Sequence, residues 1–336
     1  MPSVDSQVAS VRRAGGLFTD FPRRFLAVRG PDRVKFLHNI VSHDIRGLQT
    51  GQGKPACLPS RQACILDRQG KIQASFLAHA FPDEIILEME PIDYEPALHN
   101  LKKYLISEAV NFADTGADLR VLALHGPASE QTLRSLRPNL SLPAENLRHA
   151  EGPAGSGIRQ VIRWDLFGMP GYHLWVSASD AEALRKELEQ KTASADFPLC
   201  GREVFHTLRI EAGVPWPGIE ITPAVILNEL GTDEMVSFTK GCYIGQEIVA
   251  RIKYRAHPPR LLKKFRIQGA EVPETPCPLL QTQKPGQAEK PVGTLTSVCW
   301  SPTFQSVIGL GFLTYGTEPS GIFAGYRDRT TPVFEQ

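Results

Sequence analysis

The 336-residue chain has little of what marks a membrane, secreted or nucleic-acid-coating protein. No run of Ala, Val, Ile, Leu, Met, Phe, Trp, Tyr or Cys exceeds four residues, which excludes an ordinary membrane-spanning helix. Neither sign of charge is in excess: 37 Lys and Arg face 36 Asp and Glu, a net charge of +1. No global field therefore points to a polyanion or a membrane surface, and any anion site must be local. The six cysteines (57, 64, 200, 242, 277 and 299) form no C-x-x-C and no tight Cys/His cluster. That spacing argues against a disulfide scaffold and against a zinc site, and no metal is expected. The opening MPSVDSQVASVRRAGGLF lacks the apolar core of a signal peptide, so the expectation is a soluble, cytoplasmic protein.

What is present is ordinary globular chemistry: 42% hydrophobic and 22% charged residues, which excludes wholesale disorder. At about 150 residues per domain, the length suggests two domains. With 28 glycines and 27 prolines, many turns and some β structure are favoured over a helical bundle.

Residues 26–28 lead into Gly30-Pro31, a strand entering a helix with proline at its first position. That helix would carry Val34, Leu37, Ile40, Val41 and Ile45 at helical spacing. The pattern returns at 121–127, VLALHGP, followed by an amphipathic run with Leu133 and Leu136, which hints at an internal duplication. Between the echoes lie strand-like runs at 63–66, 72–80 and 84–90 and a helix near 92–106. Beyond the second come strands at 158–166 and 172–177, a helix near 180–192, and a helix at 201–212 closed by Gly213. This order predicts an α+β body over 1–256, not a doubly wound parallel sheet. From Pro258-Pro259 onward, short β-like runs (261–268, 292–300, 306–314, 322–326) alternate with Pro/Gly-rich turns. A small C-terminal β-barrel over 257–336 is the natural reading.

The densest segment is Lys240-Gly241-Cys242-Tyr243-Ile244-Gly245-Gln246-Glu247-Ile248-Val249-Ala250-Arg251. Its glycines let backbone N–H groups approach a ligand, and a helix starting near Gly245 would add positive potential beside Lys240. A thiol at Cys242 would then be more acidic and more nucleophilic. The plainer alternative is a tight turn with a half-buried cysteine. Upstream, Arg209 and Glu211 in LRIEAGVP fit a structural ion pair. The run 251–266 holds seven Lys or Arg and no acid. It reads either as a solvated linker or as a lure for an anionic tail or a phosphate backbone, and Trp216 in its Pro-Trp-Pro-Gly loop could cover a ligand.

LRIEAGVPWPGIEIT at 208–222, NELG at 228–231 and VSFTKGCYIGQEIVAR at 236–251 resemble the signature of the YgfZ family. This is the folate-binding branch of the glycine cleavage T-protein superfamily, linked to iron–sulfur cluster assembly and repair. VRGPDRVKFLHNIVSHD at 28–44 is similar to the superfamily's opening, so the resemblance spans roughly 20–336. It implies a two-lobed folate-binding body with two pseudo-repeated halves, followed by a C-terminal barrel, and tetrahydrofolate or a one-carbon derivative as cofactor. Cys242 and Lys240 would be the catalytic pair, with Arg209, Glu211, Tyr243, Gln246, Glu247 and Arg251 in the cofactor site. Folate and iron–sulfur client or assembly proteins are the implied partners.

The T-proteins themselves are aminomethyltransferases with a G-G-x-x-D-D stretch supplying a catalytic Asp. Here it reads Gln69-Gly70-Lys71-Ile72-Gln73-Ala74, without a carboxylate. Their G-E-D-G before an aromatic residue and Glu reads Gly168-Met169-Pro170-Gly171-Tyr172-His173, which puts the usual acid for the pterin edge in doubt. Glu211 and Glu247 are the carboxylates that could substitute. The leading expectation is therefore a folate-binding accessory of iron–sulfur assembly. A tetrahydrofolate-dependent aminomethyltransferase is the alternative, and an RNA or tRNA-modification helper, resting on the basic run alone, comes last.

Overall fold

The structure is a computed structural model describing residues 3–48, 57–192, 196–281, 289–318, 320–326 and 329–335. It is an α+β body followed by a closed barrel, as the order of the elements predicts. Each half of the body runs strand, helix, three strands, helix, strand. In the first half these are Arg24–Arg29, the helix Arg33–Ile40, the strands Leu58–Leu66, Ile72–Ala80 and Glu84–Met89, the helix Pro91–Tyr104 and the strand Asn111–Asp114. The second half repeats them as Leu119–His125, the helix Ser129–Leu136, Arg148–Glu151, Ile158–Arg163 and Gly171–Ser177, the helix Ala178–Thr192 and Leu199–Cys200.

The pairing order repeats too, with the short strand Gly16–Phe18 wedged between the lead and last strands of the second half. The halves join where Leu58 lies opposite His149 in an antiparallel pair, and the two strands concerned hold equivalent places in their halves. The sheet therefore has an internal twofold relation, which accounts for the Gly-Pro echo. Gly30 and Gly126 have φ of +108° and +130°. A Cβ would sit 2.1 Å from the Ala109 carbonyl oxygen at the first and 2.4 Å from Gly15 Cα at the second, so only glycine fits either turn. Among the described strands only Leu17 opposite Leu199 is parallel.

Helices cover the outer face of each half over separate hydrophobic cores. The inner faces of the halves meet through an aromatic core that includes Phe18, Phe25, Trp164, Phe167, Trp175 and Phe205. Two local expectations fail at the first helix. It starts at Arg33 behind Asp32, so Pro31 precedes it, and it stops at Ile40. Val41 and Ile45 therefore lie outside it. Val41 turns extended and bridges Ile65, while the Ser42 amide donates to the Cys64 carbonyl; pairing with a strand wins over another helical turn. Sequence reading also passed over the N-terminal helix Val4–Arg13, whose cap is the Ser3 hydroxyl accepting from the Ser6 amide.

The barrel closes through Arg260–Ile267, Ser306–Thr314, Lys290–Ser301, Cys277–Gln281, Ile322–Tyr326 and Arg329–Glu335. Alternate residues such as Phe265, Ile267, Leu279 and Leu295 fill it. The helix Arg202–Ala212 docks it to the body and ends, as expected, at a left-handed Gly213. From that helix Arg209 donates to Glu220 at 3.1 Å and to the hydroxyl of barrel Ser297 at 2.6 Å. Glu220 in turn accepts from Thr296 and Ser297. Arg209 and Glu220 are both fully buried, so removing one strands the other's charge away from water. Arg209→Ala should lower the unfolding free energy by about 3–5 kcal/mol in a urea titration. A loss below about 1 kcal/mol would mean that the pair does not hold barrel to body.

Candidate functional site

A cavity of about 940 Å³ opens between the two inner sheet faces and the barrel. Its charged wall is built on two elements of the first half. Arg23 precedes the lead strand, and its guanidinium lies 4.3 Å from the Phe21 ring and about 5.5 Å from those of Trp164 and Trp216. Nη1 donates to Glu90 at 2.5 Å. Glu88 comes from the strand Glu84–Met89, where it is buried among apolar residues.

Glu88 Oε2 accepts from the Trp175 indole at 3.1 Å and from His79 Nε2 at 3.0 Å. His79 Nδ1 lies 2.8 Å from the Ser60 hydroxyl, so both ring nitrogens have partners. His173 Nδ1 stands 4.0 Å from Glu88 Oε1, beyond hydrogen-bond reach. Burial by itself would raise the Glu88 carboxyl, but His79 and Arg23 outweigh it and keep the group ionised far below the usual carboxylate range. The imidazoles of His125, His149 and His173 go the other way: burial holds each below its ordinary value, that of His149 at about 3.

Counted back from Gly30 and Gly126, Phe25 and Val121 hold the same place in their lead strands. Their strand partners are Glu88 and Trp175. The acid and the indole that donates to it are thus equivalent positions of the two halves, meeting across the twofold relation.

Against the same cavity lies Ser75, which donates from its amide and its hydroxyl to Asp93, at 3.2 and 2.7 Å. Trp216 is part of the lining, and so are Lys263 and Lys264 of the first barrel strand. The basic run is therefore not a linker. It ends one helix and builds a strand, with Lys253 bound to Asp233, Arg260 to Glu229 and Lys263 to Glu335. Arg255 ends the helix Gln246–Arg255 and is exposed.

The residues singled out in the sequence sit elsewhere. None of Cys242, Lys240, Arg209, Glu211, Tyr243, Gln246, Glu247 and Arg251 lines the large cavity. Glu211 accepts from Arg12 and from the barrel hydroxyls of Ser301 and Thr303, and so ties three elements together. Lys240 points inward, its ammonium donating to the carbonyls of His38, Val41 and His43. Burial depresses it to about 8, and its charge lies 4.8 Å above the buried Tyr243 ring. Gly245 has φ +85° and starts the helix Gln246–Arg255, on which Glu247 and Arg251 face solvent. Cys242 is exposed in a recess of its own with His38, Asn39 and Arg46. Gln73 folds back on the Lys71 carbonyl at 3.4 Å.

Sequence reasoning missed Arg23, Gln62 and Glu88. Only Glu88 carries a readable signal, polarity on an apolar strand: Glu88 in IILEM, like His79 in FLAHA and His173 in YHLWV, demands a buried partner, whereas Arg23 and Gln62 carry none.

The family described as the GCVT N-terminal domain matches residues 1–240. A protein of Halalkalibacterium halodurans named aminomethyltransferase is 24% identical over 312 residues, covering 93% of this chain and 82% of that protein. One of the same name from Symbiobacterium thermophilum is 27% identical over 338 residues, covering 96% and 86%. The crystal structure of the glycine cleavage system aminomethyltransferase T from Bartonella henselae superposes with a TM-score of 0.83 at 19% identity. That match covers 99% of this chain and 88% of that one, and it speaks for the shared fold.

Two measurements test the site. Burial pushes the Asp93 carboxyl up to about 6 from 3.8, so the folded state binds more protons across that window and stability falls as pH rises through it. Asp93→Asn keeps an acceptor for both Ser75 donors. It should flatten the stability profile between about pH 4 and 6 and add on the order of 2 kcal/mol at pH 7.5, read by denaturant titration. In site-resolved alkylation, Cys242 should react at least ten times faster than Cys64, Cys200 and Cys277, which are buried. Tetrahydrofolate should leave the Cys242 rate unchanged, because its recess is separate from the cavity.

Proposed function

We propose that this chain, which belongs to the family of the GCVT N-terminal domain, binds tetrahydrofolate in its central cavity and works in aminomethyl transfer. One observation carries the reading. Beside a cavity of about 940 Å³, buried polar atoms of Arg23, Gln62 and Glu88 have no hydrogen-bond partner among the described residues, while two lysines stand at the barrel side. A folate has a flat hydrogen-bonding head, an aromatic middle and an anionic glutamate tail. The cavity matches all three with a charged wall, aromatic sides and Lys263 and Lys264, within the volume usual for cofactor sites. Tetrahydrofolate, when bound, supplies the nitrogens that accept a one-carbon unit. The chain's part is to hold the head at Arg23 and Glu88, to shelter the ring behind Trp216 and to neutralise the tail.

The two relatives named aminomethyltransferase support transfer ahead of the expected role in iron–sulfur assembly. The position of Gln73 favours the second reading, that of a YgfZ-like folate-binding accessory of iron–sulfur assembly. A carboxamide in place of the family's Asp cannot take up a proton, and Cys242 is left exposed for a partner. Calorimetric titration with tetrahydrofolate should give saturable binding and a higher melting temperature; no binding at millimolar ligand would refute the folate reading. Transfer from an aminomethylated lipoyl carrier then separates the two. A rate raised at least tenfold by Gln73→Asp would support the transferase architecture, and no turnover in either form would favour the accessory. Replacing Lys263 and Lys264 with Ala should weaken a polyglutamylated folate more than the monoglutamate, by a margin that shrinks in high salt.

A further inference from the structure

We propose that the cavity has a second anion seat, built on the body side by Arg61 and His43, which takes the carboxylate of a small acid bound beside the folate. The assignment rests on the folate reading above for what fills the rest of the cavity, and it names the class of molecule that shares it.

Arg61 comes from the strand Leu58–Leu66, two residues beyond Pro59, which pairs with Arg148 where the halves join. It lines the cavity and is half-buried. Nη1 donates to the Ser60 carbonyl at 3.0 Å, and among the described residues no other hydrogen-bond acceptor and no carboxylate partner meets this guanidinium. Burial and the nearby Arg148 lower its pKa against the pull of Asp44. Both neighbours are engaged elsewhere. Arg148 pairs with Glu145 at 3.1 Å, while Asp44 Oδ1 accepts from the amides of Arg46 and Gly47 and stands 3.1 Å from His38 Nδ1. The acids of the cavity wall do not serve Arg61 either. Glu88 and Glu90 face Arg23, Asp165 holds Arg163, and Glu234 is exposed and is not among the charges acting on Arg61. Residues 49–56, outside the described residues, contain a lysine and no acid.

His43 joins Arg61 through the backbone. The bridge of Val41 with Ile65 lays the segment after the first helix along the strand that carries Arg61. The Asp44 amide donates to His43 Nδ1 at 2.7 Å, so that nitrogen carries no proton. Burial, with Arg61 next, holds the imidazole below its ordinary value, so at neutral pH its one proton is on Nε2. That N–H has no acceptor among the described residues, and His43 also lines the cavity without being sealed from it. The Lys240 ammonium, 3.1 Å from the His43 carbonyl, adds positive potential. A guanidinium and an imidazole N–H thus stand in one wall with donors to spare and no acid to receive them. The complement accepts only and carries one negative charge. A carboxylate does both, because its two oxygens match the guanidinium fork and keep a lone pair for the imidazole. A folate tail lying on Lys263 and Lys264 leaves this seat open. The volume of about 940 Å³ is near the top of the range for a single small ligand, so a second one has room.

The test treats the wild-type chain with phenylglyoxal, which modifies arginine, and reads the rates at Arg61 and at the exposed Arg251 by mass spectrometry. Propionate, its uncharged counterpart propionamide and inorganic phosphate are each added in turn. At about 10 mM, roughly ten times the dissociation constant expected of so small a ligand, propionate should slow Arg61 about tenfold and leave Arg251 unchanged. Propionamide should protect neither. No protection of Arg61, equal protection by propionamide, or stronger protection by phosphate overturns the carboxylate seat. Melting curves then separate the seat from the folate tail. Propionate should raise the melting temperature of the wild type with or without saturating tetrahydrofolate, and should not raise that of Arg61→Gln. A rise that disappears in saturating tetrahydrofolate gives Arg61 to the folate tail and overturns the second seat, as does a rise that Arg61→Gln retains. Should Arg61→Gln fail to fold, the wild-type rates decide alone. Tetrahydrofolate that fails to bind while propionate still protects Arg61 would sink the folate reading and leave the seat standing.

Discussion

A carboxylate sealed between two sheet faces governs the rest of this molecule. Taking an ion out of water costs several kcal/mol even after relaxation, and the cost is offset only by donors arranged around it. Glu88 recruits two donors and a counter-charge from far apart in the chain: Trp175 from the second half, His79 from the neighbouring strand, and the Arg23 guanidinium from the approach to the lead strand. Holding Arg23 draws in Glu90 and three aromatic rings, so one buried charge dictates the composition of the central core. The arrangement also leaves that core polar where it meets the cavity.

A second buried charge decides where the barrel sits. Arg209 and Glu220 meet over Ser297, and Glu220 also accepts from the Trp216 amide at 3.0 Å. The loop that brings Trp216 to the cavity is thus anchored by the contact that docks the barrel. Lys263 and Lys264 arrive on the barrel's first strand, so the far wall of the cavity depends on the same lock. Architecture and site are joined where Arg209 and Glu220 reach barrel Ser297, more than seventy positions along the chain.

How much of this the sequence disclosed follows from the range of the forces involved. Local signals were readable: the Gly-Pro turns, the glycine ending the helix at Gly213, the strand at 72–80 and the β-rich tail all rest on dihedral preference and short periodicity. The early end of the first helix was not, because Val41 is claimed by Ile65 some twenty residues later. The site was the least legible part. Arg209, Glu211 and Lys240 stand in the most distinctive stretches of sequence, yet their charges serve buried partners that hold elements together. Glu88 sits in a stretch with no motif at all, and only its presence on an apolar strand gives it away.

The repeated halves have one more consequence. Two equivalent positions that touch must straddle the twofold relation, and Glu88 and Trp175 do touch. A cavity beside such an axis would, in a perfectly repeated protein, offer a ligand two opposite poses of equal energy. Here one half contributes an acid and the other an indole, so the degeneracy is broken and the two sides of the cavity differ.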